Sequence, residues 1–182
     1  VFVRLGGCNL ACDFCDTEFE KFEEITLDDT LEAILHHAAG IRDLVVITGG
    51  EPLRQNIAPV CEALLTAGLR VQIETNGTLW RELPLGVDVV CSPKVTDAKY
   101  HPLRSDLLAR VSALKFIVSA EIGDYHAVGE VGQAGTKIPV YVQPMDMYDP
   151  AKNAANVAHA LALAQKHGYR LSLQTHKMLG IA

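Results

Sequence analysis

The chain has 182 residues, 49% of them hydrophobic and 21% charged, with a formal net charge of −6. This is an ordinary soluble composition, long enough for one domain with a substantial core. The acidic balance argues against a nucleic-acid or anionic-membrane partner, and no run approaches the ~18 apolar residues that span a bilayer.

Val1 to Leu5 already reads as a strand, so further sequence is expected upstream of it. Cys8, Cys12 and Cys15 follow directly. Thr26 and Asp29 have capping-box spacing, and Leu27, Leu31, Ile34 and Leu35 fall on one face of the helix they open. Leu44–Thr48 is a second strand. It is followed by Gly49-Gly50-Glu51-Pro52 and a helix over 57–67 that Gly68 stops. Arg70–Glu74 and Val87–Cys91 are strands ending in Thr75-Asn76-Gly77 and Ser92-Pro93-Lys94. A poorer helix is expected over 105–111. Strands at Leu114–Val118, Val140–Gln143 and Arg170–Leu173 complete the set, with the best helix over 151–167 and a loop-rich connection over 121–137. Continuous apolar strands alternating with helices predict an α/β fold with a mostly parallel sheet and a single domain, 1–182. The polar residues collect just after the strands, where parallel α/β folds keep their chemistry.

The cysteine spacing is C-x3-C-x2-C. Three thiolates can hold three corners of a cubane iron–sulfur cluster and leave the fourth iron open to a non-protein ligand. A disulfide reading fails because the run is odd, no signal peptide is evident, and such short loops would be strained. Zinc remains open, with Asp13 or Asp16 as a fourth ligand, as does a purely structural run. Absent targeting signals and free thiols suggest a cytoplasmic protein. Cys61 and Cys91 lie in apolar surroundings and read as inert core residues. The paired histidines of the helices, His36, His37, His159 and His167, read as solvated or packed.

Gly49 and Gly50 let the backbone approach a ligand closely, and Glu51 could accept hydrogen bonds from an ammonium. The plainer alternative is a tight turn with Pro52 at a helix start. With the cysteine run before it, this turn resembles that of the radical S-adenosylmethionine superfamily. The series FVRLGGCNLACDFCDT, TGGEPLRQN, ETNGT, CSPK, KFIVS, QPMD and QTHK resembles, in that order, the 7-carboxy-7-deazaguanine synthase family.

That resemblance implies a trimmed (β/α) barrel of six strands, a homodimer, a [4Fe-4S] cluster on Cys8, Cys12 and Cys15, and S-adenosylmethionine on its open iron. It further implies conversion of 6-carboxy-5,6,7,8-tetrahydropterin to 7-carboxy-7-deazaguanine, with electrons from a donor such as flavodoxin or ferredoxin. Phe14, Cys15, Asp16, Gly49, Gly50, Glu51, Ser92, Pro93, Lys94, Gln143, Pro144, Met145 and Asp146 match cofactor-binding positions. Met145 could pack on adenine or belong to the core. Thr17 matches a Mg²⁺ ligand. Arg4, Thr48, Glu74, Asn76, His176 and Ala182 match substrate positions, with Glu74 and His176 the catalytic candidates. Two departures stand out. The family's amino-terminal segment is missing, and the first two cysteines have the short spacing rather than a long insertion. Two other classes compete, an activase of a glycyl-radical enzyme and a non-catalytic cluster- or zinc-binding module.

Overall fold

The computed structural model describes residues 1–180. Ala182, expected at the substrate, lies outside them. The described chain divides into two compact units, Val1–Cys91 and Ser92 onward.

In the first unit β1 (Phe2–Leu5), β2 (Leu44–Gly49), β3 (Arg70–Thr75) and β4 (Val87–Cys91) lie side by side in chain order. β1 pairs with β2, β2 with β3 and β3 with β4, all in parallel. Helix α1 (Leu27–Ala38) starts as expected, with the Thr26 hydroxyl accepting from the Asp29 N–H. Its buried face is Ile34 and Ala38, whereas Leu27 and Leu35 are exposed. The apolar stripe read from spacing was therefore too wide. Helix α2 (Ala58–Thr66) ends before Gly68, whose φ of +80° is the left-handed value that a glycine supplies without strain. Val45, Ile47, Val71, Ile73 and Val89 are buried between sheet and helices, as expected of a sheet whose strands read as continuous apolar runs.

The second unit carries β5 (Val111–Val118), β6 (Val140–Pro144) and β7 (Arg170–Leu171), again in parallel. Strand β5 begins at Val111, so the expected helix over 105–111 shrinks to α3 (Ser105–Leu108). The β-branched Val111 and the alternating burial along β5 favour strand geometry there. Helix α4 (Pro150–His167) is capped by Asp149, whose carboxylate accepts from the Ala151 and Lys152 N–H groups, and ends at Gly168 with φ +71°. The expected strand Arg170–Leu173 shortens to β7, and the QTHK stretch after it opens a short helix, α5 (Thr175–Met178). The seven strands among the described residues are one more than the family pattern implied, and the seventh is two residues long.

Candidate active site

The cysteine loop leaves β1 and is closed on itself, the Gly7 N–H donating to the Phe19 carbonyl at 2.7 Å. Inside it the Cys15 N–H bonds the Cys12 carbonyl at 3.0 Å, a turn that brings these two cysteines to the same end of the loop. None of the three cysteines is in a disulfide. Cys8 and Cys12 are half-buried and Cys15 is exposed. Cys8 Sγ receives the Leu10 N–H at 3.4 Å and lies 4.0 Å from Asn76 Nδ2.

The cluster fits this loop better than zinc does. Among the described residues no three His, Cys, Asp or Glu side chains converge on one metal ion. A structural zinc needs four ligands around a single point, whereas a cubane takes each thiolate on a different iron. Asp13 and Asp16, the candidate fourth zinc ligands, are both exposed. Asp16 instead accepts from the Thr17 hydroxyl, at 3.4 Å.

The loop is bolted to the turn after β2. The Gly50 N–H donates to the Leu5 carbonyl and the Glu51 N–H to the Gly7 carbonyl, both at 2.9 Å. Arg54 Nη1 donates to the Cys8 carbonyl at 3.0 Å, and Gln55 Nε2 to the Gly6 carbonyl at 3.3 Å. A Cβ on Gly50 would overlap the Gly7 carbonyl, and one on Gly49 the backbone of Leu5. Two glycines are needed here because main chain meets main chain. Pro52 opens a 3-10 turn, Pro52–Arg54, so the tight-turn alternative and the close-approach reading describe the same residues.

Arg4 pairs in register with Thr48, and Glu74 with Val90. Thr48 and Glu74 each lie one residue beyond the paired Ile47 and Ile73. Arg4, Thr48 and Glu74 thus form one row across three strands, and register neighbours share a sheet face. Next to this row Asn76 Nδ2 donates to Asn9 Oδ1 at 3.2 Å, Asn9 Nδ2 to the Thr78 hydroxyl at 2.8 Å, and that hydroxyl to Asn76 Oδ1 at 2.6 Å. The triad ties the residue after Cys8 to the end of β3. Glu51 is turned inward, and its carboxylate accepts from Leu53, Thr75 and Asn76.

The second unit holds the other expected segments. Ser92 and Pro93 are buried, and Lys94 Nζ folds back onto the Ser92 carbonyl and hydroxyl at 2.6 and 2.8 Å. Pro144, Met145, Asp146, Asn153 and Lys177 line a cavity of about 160 Å³. Met145 is 2% exposed, so it is a core residue that also forms a wall of this cavity. Gln143 is half-buried on β6, and His176 is exposed on α5. Buried Asn156 of α4 donates to the Met145 carbonyl and accepts from the Ala120 N–H, both at 2.8 Å. It holds the ends of β5 and β6 together.

Lys177 Nζ, 2.8 Å from Asp146, holds that carboxyl down at about 2, helped by the Tyr148 N–H and Asn153. A folded-state value below the unfolded one near 3.9 stabilises above about pH 4, and this contribution is lost as the pH falls through about 2. Replacing Lys177 with Met removes the cause of the shift. The stability gap between wild type and K177M, measured by denaturant unfolding, is expected to be widest near neutral pH and to close below about pH 2.

Sequence reasoning missed Asn9, Arg54, Thr75, Thr78 and Asn156. Arg54 sits in the quoted TGGEPLRQN stretch and Thr75 in ETNGT, but only the fold shows what they bind.

Residues 2–88 match the Radical SAM superfamily. The 7-carboxy-7-deazaguanine synthase of Rickettsia prowazekii (strain Madrid E) is 52% identical over 186 residues, covering 100% of this chain and 80% of the relative. The chain belongs to the 7-carboxy-7-deazaguanine synthase family. The synthase of Escherichia coli (strain K12) is 30% identical over 203 residues, with 100% of this chain and 90% of the relative covered. The crystal structure of QueE from Escherichia coli superposes with a TM-score of 0.70 at 26% identity, covering 95% of this chain and 84% of that one. Streptococcus suis SuiB bound to S-adenosylmethionine shares the fold, with a TM-score of 0.55 at 17% identity over 94% of this chain and 45% of that one. The fold class is therefore the α/β type expected from the sequence, and the chain is a radical S-adenosylmethionine enzyme, a family that uses a [4Fe-4S] cluster and S-adenosylmethionine. No helix among the described residues is long and apolar enough to cross a membrane.

Proposed function

We propose that this protein contracts the ring of 6-carboxy-5,6,7,8-tetrahydropterin to 7-carboxy-7-deazaguanine with release of ammonia, a step of queuosine and deazapurine biosynthesis. The observation that carries this is the cysteine loop locked onto the Gly49-Gly50 turn beside the row of Arg4, Thr48 and Glu74. An arrangement of three cysteines outside any disulfide, a glycine turn and an Arg–Glu row supports a cofactor and a small substrate carrying both a carboxylate and a donor-rich edge.

When bound, the cluster and S-adenosylmethionine supply a one-electron cleavage that starts hydrogen abstraction from the substrate. Cys8, Cys12 and Cys15 hold the cluster. Phe14, Asp16, the Gly49-Gly50 backbone, Ser92–Lys94 and Gln143–Asp146 hold S-adenosylmethionine. Arg4 offers a planar fork to the substrate carboxylate. Thr48, Glu74, Asn76 and His176 complete the substrate side, where acceptors suit the N–H groups of the pyrimidine edge. Thr17 would offer one hard oxygen to a Mg²⁺ that binds the substrate carboxylate. We further propose a single radical S-adenosylmethionine domain, a cytoplasmic homodimer, and reduction by a flavodoxin or ferredoxin.

Anaerobic incubation with the pterin, S-adenosylmethionine, dithionite and Mg²⁺ is expected to yield 7-carboxy-7-deazaguanine by mass spectrometry. Cleavage of S-adenosylmethionine with no deazaguanine product would reject the substrate and keep the enzyme class.

A further inference from the structure

Glu51 is the fully buried carboxylate of the turn after β2, at 0% exposure. A buried charge is unfavourable unless donors replace its water. Here they do. Oε1 accepts the Leu53 N–H at 3.0 Å and the Thr75 hydroxyl at 2.8 Å, and Oε2 accepts the Asn76 N–H at 2.7 Å. Thr75 is itself 2% exposed, and its hydroxyl accepts the Gly77 N–H at 3.1 Å. The carboxylate is aimed at the protein's own backbone, across the gap between two strand ends. Asn76, fixed by its N–H, passes the restraint through its side chain to Asn9 beside Cys8.

We propose that Glu51 and Thr75 are a positioning pair. They hold the Asn76-Gly77 turn against the Gly49-Gly50 turn, keep Glu74 and Asn76 in place for the substrate, and touch neither ligand. The substrate half of this inference rests on the function proposed above. The backbone half does not.

The test uses Thr75→Val, which keeps shape and removes the hydroxyl, with Thr75→Ser as the rescue and Glu51→Gln as a second variant. Three quantities are compared with wild type in the reconstituted enzyme: the change in the reduced cluster's EPR spectrum on adding S-adenosylmethionine, the kinetics with the pterin, and amide exchange at Asn76 and Gly77. For T75V we expect the EPR change to persist with S-adenosylmethionine affinity within about threefold, the pterin KM to rise about tenfold or more with a smaller change in kcat, and both amides to exchange at least about tenfold faster. T75S restores all of them. Unchanged amide exchange in T75V overturns the inference, even should wild type fail to convert the pterin and so reject the proposed substrate. An EPR change abolished in E51Q but intact in T75V also overturns it, because Glu51 would then contact S-adenosylmethionine directly.

Discussion

Replacing Cys12 with Ala is expected to remove the cluster and all cleavage of S-adenosylmethionine. The loop offers three thiols and no converging carboxylate or histidine to stand in for a lost one among the described residues. Two thiolates leave two irons open, and a cubane so exposed loses iron to solvent. The hard step of the reaction belongs to the cofactor, so its loss takes the rate down to background, more than about a thousandfold. Iron and sulfide content after anaerobic reconstitution, measured beside reductive cleavage of S-adenosylmethionine, checks both halves. Retained iron with retained cleavage in C12A would overturn the cluster assignment. The fold itself should survive, because Cys12 is only half-buried in a loop and the core is built elsewhere.

Gly50→Ala should do the reverse, damaging the loop through the fold. The added methyl would overlap the Gly7 carbonyl and crowd the Cys8 amide. Relief by a small shift is blocked. The Gly50 N–H is bonded to Leu5, the Glu51 N–H to Gly7, and β1 is held in register with β2 up to Leu5 and Gly49. Overpacking of this kind costs about 1–3 kcal/mol, which for a domain of this size lowers Tm by roughly 2–4 °C per kcal/mol. The loop carrying Cys8 must move, so cluster occupancy is expected to fall together with Tm. Gly123→Ala is the matched control. It has an ordinary φ and nothing within 4 Å of the added methyl, so its Tm should stay within about a degree of wild type. A G50A protein with wild-type Tm and full iron content would show that the two turns are not locked together.

Much of this protein is legible in one dimension. Thr26 caps α1 and Gly68 and Gly168 stop α2 and α4, because capping depends on residues three or four apart. The cysteine spacing, too, is local, and so is the placement of polar stretches after strands. Misreadings came where packing overrode local pattern. Leu27 and Leu35 satisfy helical periodicity yet stay exposed, and Val111 belongs to β5 although the spacing suggested a longer α3. The buried polar ties were not readable at all. Glu51 looks like a ligand-binding carboxylate in its own motif, and its partners Thr75 and Asn76 lie 24 and 25 residues away. Asn156 sits in the middle of an ordinary amphipathic helix, 36 residues from the amide it secures.

By itself, then, the order of residues determined most of the elements, the spacing of the cysteine loop and the gathering of polar stretches after the strands, since each follows from short-range spacing. Only the tertiary structure decided which strand ends are tied together and by whom. Register and burial set those ties, and both arise from contacts between segments far apart in the chain.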